Sequence, residues 1–438
     1  MTRYIEIARS EFVHLFRSPF KTISLTLFGL AVIYGCQNGY GLFKAHKEQI
    51  MAIKTDNERS IDKMIIQYEE IEQGIIDKPR RDPTIPYWAI WNTPSYAFKS
   101  PSPMMVFSLG QSEQYGYYKR VTNWSTIFDS DLAEEIANPE RIAIGTLDFN
   151  FVLLYLAPIL VIILLFNIGG LEKDLRFDNL IFLNNISKEQ WLLTRFSFYY
   201  ILTFSLLFIL TIPYAFFSGV FQGDGQQYIN FLLIILLYLL MWFTIFFLVN
   251  VSGNGSSDQA VKMISIWLAF CIIIPGAVHQ FSSLKYPANY MTDYLDVSRD
   301  QSNKIFELPT ETLREELLKA FPTLQTTLYA ADTSLNRGII NRSLSGLVNM
   351  LNKDVARTIE WSSEKKNKFV RSYSVLNPIT FFQNEINTLT DTDYYAYKKY
   401  RDDIQVMIDK KINLILQDTW NEVSVDKEKY IQYVGSFR

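Results

Sequence analysis

Five stretches of this 438-residue chain are long, apolar and free of Lys, Arg, Asp and Glu at their centres: residues 22–42, 149–169, 196–219, 228–250 and 259–280. Crossing a bilayer core as a helix takes about 20 mostly apolar residues, and each stretch reaches that length. Five such runs with no amphipathic pattern around them argue against buried helices of a soluble domain. The reading is an α-helical polytopic membrane protein. Between the runs the chain is as polar as a soluble protein, so the overall 49% hydrophobic and 20% charged content averages two unlike materials.

The first run does not read as a cleavable signal. A hydrophilic stretch precedes it, it exceeds the roughly 7–15 residues of a signal core, and no small-residue cleavage site follows. A formal net charge of −3 argues against a nucleic-acid partner. Cys36 and Cys271 both fall inside apolar runs, so neither a disulfide framework nor a cysteine metal site is expected.

Lysine and arginine concentrate in cytoplasmic loops. Arg3, Arg9, Arg17 and Lys21 precede the first run. Lys173, Arg176, Lys188 and Arg195 lie between the second and third, and Lys262 opens the fifth. The connection 219–227 has none and carries Asp224. The N-terminus and the loop 170–195 are therefore expected on the cytoplasmic side. Residues 43–148 and 281–438 then form two large extracytoplasmic regions, both expected to be mainly helical. Ile50, Ile53, Ile61, Met64, Ile65, Tyr68, Ile71 and Ile75 recur at helical spacing, which extends the first span as an amphipathic stalk until the Pro-rich stretch 79–103. The stretches 308–321 and 390–417 also read as helices.

The loop 170–195 is the oddest segment. Glu172, Lys173, Asp174, Arg176, Asp178, Lys188, Glu189 and Arg195 exclude it from hydrocarbon, at on the order of 24 kcal/mol for about 3 kcal/mol per charge. Yet Leu171, Leu175, Leu180, Ile181, Leu183 and Ile186 recur within it. An amphipathic element fits, one face on the bundle and the other on something cytoplasmic. Residues 1–21 have the same character, with Ile5, Ala8, Phe12, Leu15 and Phe16 on one face and Glu6, Arg9 and Arg17 elsewhere, as in a helix lying in the membrane interface. On pattern alone both elements could equally be anchors for helix ends or a docking surface.

Catalytic patterns are missing. No G-x-x-x-x-G-K-[ST] phosphate loop and no G-x-S-x-G nucleophile elbow occurs. The Gly-rich stretch 251–259 lacks the lysine and reads as a flexible turn between the fourth and fifth spans. The three histidines, His14, His46 and His279, have no zinc-site spacing. Asp148, at the mouth of the second span, reads as a helix cap. Pro158, Pro213 and Pro275 are candidate kinks or tolerated span prolines. The aromatic segments 115–118 and 286–290 could hold a substrate or simply pack. The chain is not expected to be an enzyme, and neither a metal nor a cofactor is expected on it.

Glu172, then Leu180-Ile181-Phe182, then Asn185-Ile186-Ser187-Lys188, closing on Arg195, resembles the loop after span 2 in the ABC-2 permeases, the membrane subunits of type-2 ABC transporters. Arg176-Phe177 stands where that family has Gly-Thr, and Asn185 where it has Pro. Residues 145–167 (GTLDFNFVLLYLAPILVIILLFN) look like the entry to span 2 in the branch with large outer insertions. The stretches 107–122, 266–278 and 377–393 resemble the same branch, in order along most of the chain. The resemblance implies an ABC-2 transmembrane domain of six spans, of which five are found here, so the last is absent or undetected. It implies two copies of a separate ATPase subunit that holds the ATP, and a second permease subunit, identical or not. It implies ATPase coupling through Glu172, Arg176, Leu180, Ser187, Lys188 and Arg195. The location would be the inner membrane, with lipid around the spans and an envelope or periplasmic protein as a further partner. Two functions stay open: a permease that moves a substrate, or a mechanotransmitting scaffold that relays ATPase motion to an envelope partner with nothing crossing.

Overall fold

The computed structural model describes residues 2–129, 131, 147–176, 187–223, 225–252, 255–287, 295–331 and 334–437. Helix α1 (Thr2–Arg17) turns at Ser18 into α2 (Pro19–Glu72). Proline is tolerated at the start of α2 because first-turn N–H groups have no intrahelical partner. Helix α2 then runs unbroken for 54 residues, about 81 Å at 1.5 Å per residue. The stalk expected from the isoleucine spacing is therefore continuous with the first span.

Next come α3 (Pro86–Asn92) and a two-stranded antiparallel hairpin of β1 (Tyr96–Phe98) and β2 (Tyr118–Arg120), with Tyr96 opposite Arg120. Four apolar helices follow: α4 (Phe149–Leu165), α5 (Lys188–Ser218), α6 (Gly225–Ser252) and α7 (Ser256–Lys285). The remaining helices of ten residues or more among the described residues are α8 (Leu295–Phe306), α9 (Thr310–Ala320), α10 (Arg337–Ser372), α11 (Pro378–Leu389), α12 (Tyr394–Trp420) and α13 (Lys427–Ser436).

Helices α2, α5, α6 and α7 are long and apolar enough to cross a membrane, and α4 is apolar but shorter. By helix length and composition this is an α-helical membrane protein. Among the described residues no comparable helix follows Lys285. Helix α4 sits at the centre of the bundle, with Val152, Leu153, Leu154, Ala157, Leu160, Val161, Leu164 and Leu165 buried. Helix α7 sits at the rim, with only 11% of its apolar stretch covered, against 33% for α6.

Pro158 and Pro275 each follow a π-helical turn, Val152–Leu156 and Ala269–Ile273, whereas Pro213 lies within α5. Pro158 has no N–H for the carbonyl four residues back, that of Leu154. Tyr238 of α6 donates its hydroxyl to that oxygen at 2.6 Å, and the Cys271 thiol lies 3.9 Å from it. Trp267 Nε1 donates to the next carbonyl, Tyr155, at 3.2 Å. A broken ladder in an apolar bundle persists only where neighbours satisfy it. Tyr238→Phe is thus expected to cost about 1–3 kcal/mol, the penalty of a buried acceptor losing its donor; a lowered Tm in detergent checks this.

The segment between the strands does not stay with the polar part of the chain. Residues Pro103–Phe107 form a 3-10 turn whose Met104, Val106 and Phe107 join the core of the apolar bundle. Phe107 packs on Phe149, Tyr228 and Phe231. Within 43–148, therefore, the 103–107 turn packs in the bundle core, and the two strands flank it as a β-hairpin. Two glycines of α2 admit the approach. A Cβ on Gly39 would lie 2.1 Å from the Val106 carbonyl oxygen, and one on Gly35 would lie 2.7 Å from the Phe149 nitrogen.

The other helices make a polar lobe. Its larger core joins α9, α10 and α12 around Leu317, Ile340, Ile404, Ile408 and Trp420. A smaller one seats Ile61 and Tyr68 of α2 against Ile90, Ile415, Tyr430 and Tyr433, so the far end of α2 belongs to the lobe. Arg401 is buried between Glu360 and Asp131, 3.5 Å from the latter, with the rings of Tyr115 and Phe128 beside its guanidinium. Burial pushes the Asp131 carboxyl up to about 7, with Arg401 offsetting only part of it. Lys411 donates to the carbonyls of Ile90 and Thr93 at 3.2 and 3.3 Å, and burial pulls its ammonium down to about 7.

These two groups act in opposite directions on stability. Between its ordinary 3.8 and about 7, Asp131 holds a proton in the fold that the unfolded chain has lost, so its contribution fades as pH rises to 7. Between about 7 and the ordinary 10.5, Lys411 is neutral in the fold and charged when unfolded, so stability grows with pH. The Tm is expected to pass through a minimum near pH 7. Lys411→Met should remove the rise on the alkaline side in a pH series of thermal melts.

Candidate functional site

The charged loop and the N-terminal helix meet at one end of the bundle. Helix α1 presents Ile7, Glu11 and Leu15 inward at four-residue spacing, while Ile5, Phe12 and Phe16 are exposed. Two faces result: an apolar one free to lie against lipid, and an edge on the bundle with a carboxylate at its middle. The face expected from the sequence (Ile5, Ala8, Phe12, Leu15, Phe16) is mostly the outward one, with Leu15 on the inner edge.

Arg195, in the second turn of α5, reaches that carboxylate. Its Nε lies 2.6 Å from Glu11 Oε1, with the two side chains only 7% and 4% exposed. A second guanidinium nitrogen donates to the Ile168 carbonyl at 3.0 Å, where the chain leaves α4. Tyr199, one turn on, donates its hydroxyl to Glu11 Oε2 at 2.9 Å. Lys21 is buried beside it, donating to the Leu164 carbonyl at 2.8 Å and to the Tyr199 oxygen at 3.4 Å. Two of the basic residues counted as loop charges thus point into the protein. There they join α1, α2, the end of α4 and α5.

A second group of contacts binds the start of the loop to the turn between α6 and α7. The Gly169 amide donates to Asn250 Oδ1 at 3.0 Å, and Gln259 Nε2 donates to the Asn250 carbonyl at 3.3 Å. Asp174 accepts the Ser256 amide at 3.1 Å. At the far side of the loop, Lys188 donates to the Val251 carbonyl at 2.9 Å. A Cβ on Gly170 would lie 2.3 Å from the Ser256 nitrogen, so only glycine fits there. The described flanks of the turn expected to be flexible are therefore held from both sides.

Ser187 caps α5, accepting the Gln190 amide at 3.2 Å while the Gln190 side chain accepts the Ser187 amide, a capping box. Glu172 lies in a short helix, Leu171–Asp174. Arg176 is exposed, with its backbone in the left-handed region at φ 60°. Leu180 lies outside the described residues. Of the six coupling candidates, Lys188 and Arg195 enter the contacts above, and Ser187 starts the helix that carries both. Sequence reasoning missed Glu11, Lys21, Tyr199, Asn250 and Gln259. The available signal was Glu11 itself, an acidic residue set between Ile7 and Leu15 in one helical stripe.

Asp148 caps α4 through the Phe151 amide at 2.7 Å, as expected. Its other oxygen accepts the Leu109 amide at 2.9 Å, which ties the inserted segment to the mouth of α4. Tyr117 stacks on His46 at 3.5 Å and Tyr115 packs on Tyr397, so these aromatics fasten the hairpin region to α2 and α12. Tyr286 and Pro287 are described, and 288–290 are not.

No group of three or more metal-ligating side chains occurs among the described residues. This end of the bundle holds paired charges, capped carbonyls and close backbone contacts. No protein-family profile, no curated protein and no solved structure matches this chain.

Proposed function

We propose that this chain is the membrane subunit of an ATP-driven transporter of the ABC-2 permease type, with ATP bound and hydrolysed on a separate polypeptide. The observation that carries the reading is the double attachment of the loop. Its start is bound to the α6–α7 turn through Gly169 and Asp174, and its end to α1 and α4 through Arg195. A push on the loop from the cytoplasm reaches four helices through short polar contacts. A nucleotide can bias such a bundle only through different affinity for its two arrangements, and the anchored ends of the loop pass that difference on.

The positive-inside pattern supports a cytoplasmic loop and a lobe on the outer side of the inner membrane. The uncovered rim of α7 supports a second permease subunit packed there. The alternative function, relay of motion to an envelope partner without transport, is favoured by the unbroken α2, which reaches from α1 to the lobe core.

Co-expression with the ATPase subunits of the same cell followed by affinity purification tests the reading. An ATP-hydrolysing partner is expected to copurify, and to be lost when Glu172 or the residues around Leu180 are replaced. Labelling of the loop from outside the cell would refute it. ATP-dependent uptake into inverted vesicles separates permease from relay.

A further inference from the structure

A cavity of about 470 Å³ lies where the lobe meets the bundle, walled by α7, α10, α11 and residues 110–115. Its size is within the range of small-molecule sites, roughly 300–1,000 Å³, but such sites are usually lined by apolar side chains. This one is not. Six of its lining side chains are amides: Gln111, Gln114, Asn367, Gln383, Asn384 and Asn387. Ser363 and Thr380 add hydroxyls, Tyr115 and Tyr394 add aromatic rings, and Val370 is the single aliphatic side chain among the lining residues.

Each amide offers two donors and a two-lone-pair acceptor, a set that matches neighbouring hydroxyl groups on one ring. Three of these amides keep a buried atom with no hydrogen bond: Gln111 Oε1, Asn367 Nδ2 and Asn384 Nδ2. Such an atom costs about 1–3 kcal/mol when nothing answers it.

The charges narrow the class further. Lys366 and His279 are among the lining residues, and no Asp or Glu is. A ligand with an ammonium group, such as an amino acid or a free peptide N-terminus, finds no counter-charge. A carboxylate or phosphate finds Lys366. The near absence of aliphatic lining disfavours acyl chains and apolar peptide side chains.

We infer that this cavity binds a carbohydrate carrying an acidic group, held by the amides and turned by Lys366. The floor of the site reaches the bundle, since Asn387 Oδ1 accepts from Ser108 Oγ at 2.6 Å and from Asn150 Nδ2, in the first turn of α4, at 3.3 Å. The inference stands on the cavity alone and is independent of the transporter reading.

Binding to the full chain in lipid nanodiscs tests it, with digalacturonate, a neutral galactose disaccharide and the dipeptide Ala-Ala as probes in calorimetric titration. Digalacturonate is expected to bind roughly tenfold tighter than the neutral sugar, about 1.4 kcal/mol, and Ala-Ala not at all. Lys366→Gln should bring digalacturonate down to the neutral sugar and leave the neutral sugar unchanged, a readout that misfolding would not give. Asn384→Leu should abolish binding of both sugars while the melting curve stays cooperative. Failure of both sugars to bind at millimolar concentration, equal binding of the dipeptide, or sugar binding indifferent to both substitutions would overturn the inference.

Discussion

Arg195→Met is expected to destabilise the protein by roughly 3–5 kcal/mol, the range for removing one partner of a buried ion pair. The loss comes from what remains. Glu11 keeps the Tyr199 hydroxyl and loses the guanidinium, and the Ile168 carbonyl loses its donor. Glu11→Leu takes the carboxylate from the guanidinium, which keeps the Ile168 carbonyl, and should cost a similar amount. The double substitution Glu11→Leu with Arg195→Met replaces the pair by apolar groups of comparable bulk. It should recover most of the loss, because a buried pair and a well-packed apolar pair are often close in stability. A double-mutant cycle on thermal or denaturant unfolding in detergent measures the coupling. Single substitutions costing only about 0–1 kcal/mol, as for an exposed pair, would mean that the contact does not bind α1 to α5. In the transporter reading the double variant has a second use. It restores the fold while replacing a charged, directional contact by a greasy one, so ATPase activity should become less responsive to the membrane subunit.

Gly39→Ala is expected to lower stability by about 3 kcal/mol or more, at the upper end of overpacking effects, whereas Gly41→Ala two residues away should be neutral or slightly stabilising. Both positions are in α2, where alanine is favoured over glycine by about 1 kcal/mol on helix propensity alone. The surroundings decide the sign. A Cβ at Gly41 meets nothing within 4 Å, but one at Gly39 meets the backbone of Val106 at 2.1 and 2.8 Å. Backbone cannot rotate away as a side chain tip can, so α2 and the inserted 103–107 turn would have to separate. Separation would uncover Met104, Val106 and Phe107, which are almost fully buried. Melting temperatures of the two variants in the same detergent make the comparison, and equal behaviour would show that the insertion is not tightly held.

Much of the fold was legible because it depends on neighbours within one or two helical turns. The length of an apolar run is a property of one segment, and proline at the start of α2, the Ser187–Gln190 box and the Asp148 cap involve residues at most four apart. The long polar helix α12 follows from the same local logic. So does the extension of the first span into a stalk, since isoleucine spacing and an uninterrupted ladder are properties of one segment.

The candidate site was legible only in part. The loop 170–195 stood out by its charge, and Lys188 and Arg195 were singled out, but the direction in which Arg195 points was not. Charge placed these residues near one side of the bundle, but it did not separate exposed Arg176 from buried Lys21 and Arg195. The sharpest gap was the segment 103–107, at the end of a Pro-rich stretch expected only to end the stalk, whose Met104, Val106 and Phe107 belong to the core of the apolar bundle.

By itself the sequence determined which runs are apolar enough for lipid, that the first of them extends into a stalk, and that one loop is too charged to enter hydrocarbon. Only the tertiary structure decided which charges turn inward and which broken carbonyls are answered. Glu11 meets Tyr199 across 188 residues, Lys21 meets Leu164 across 143, and Leu154 meets Tyr238 across 84. The physical reason is that a buried charge or an orphaned carbonyl is stable only opposite its partner, and partners so distant in sequence are brought together by packing alone.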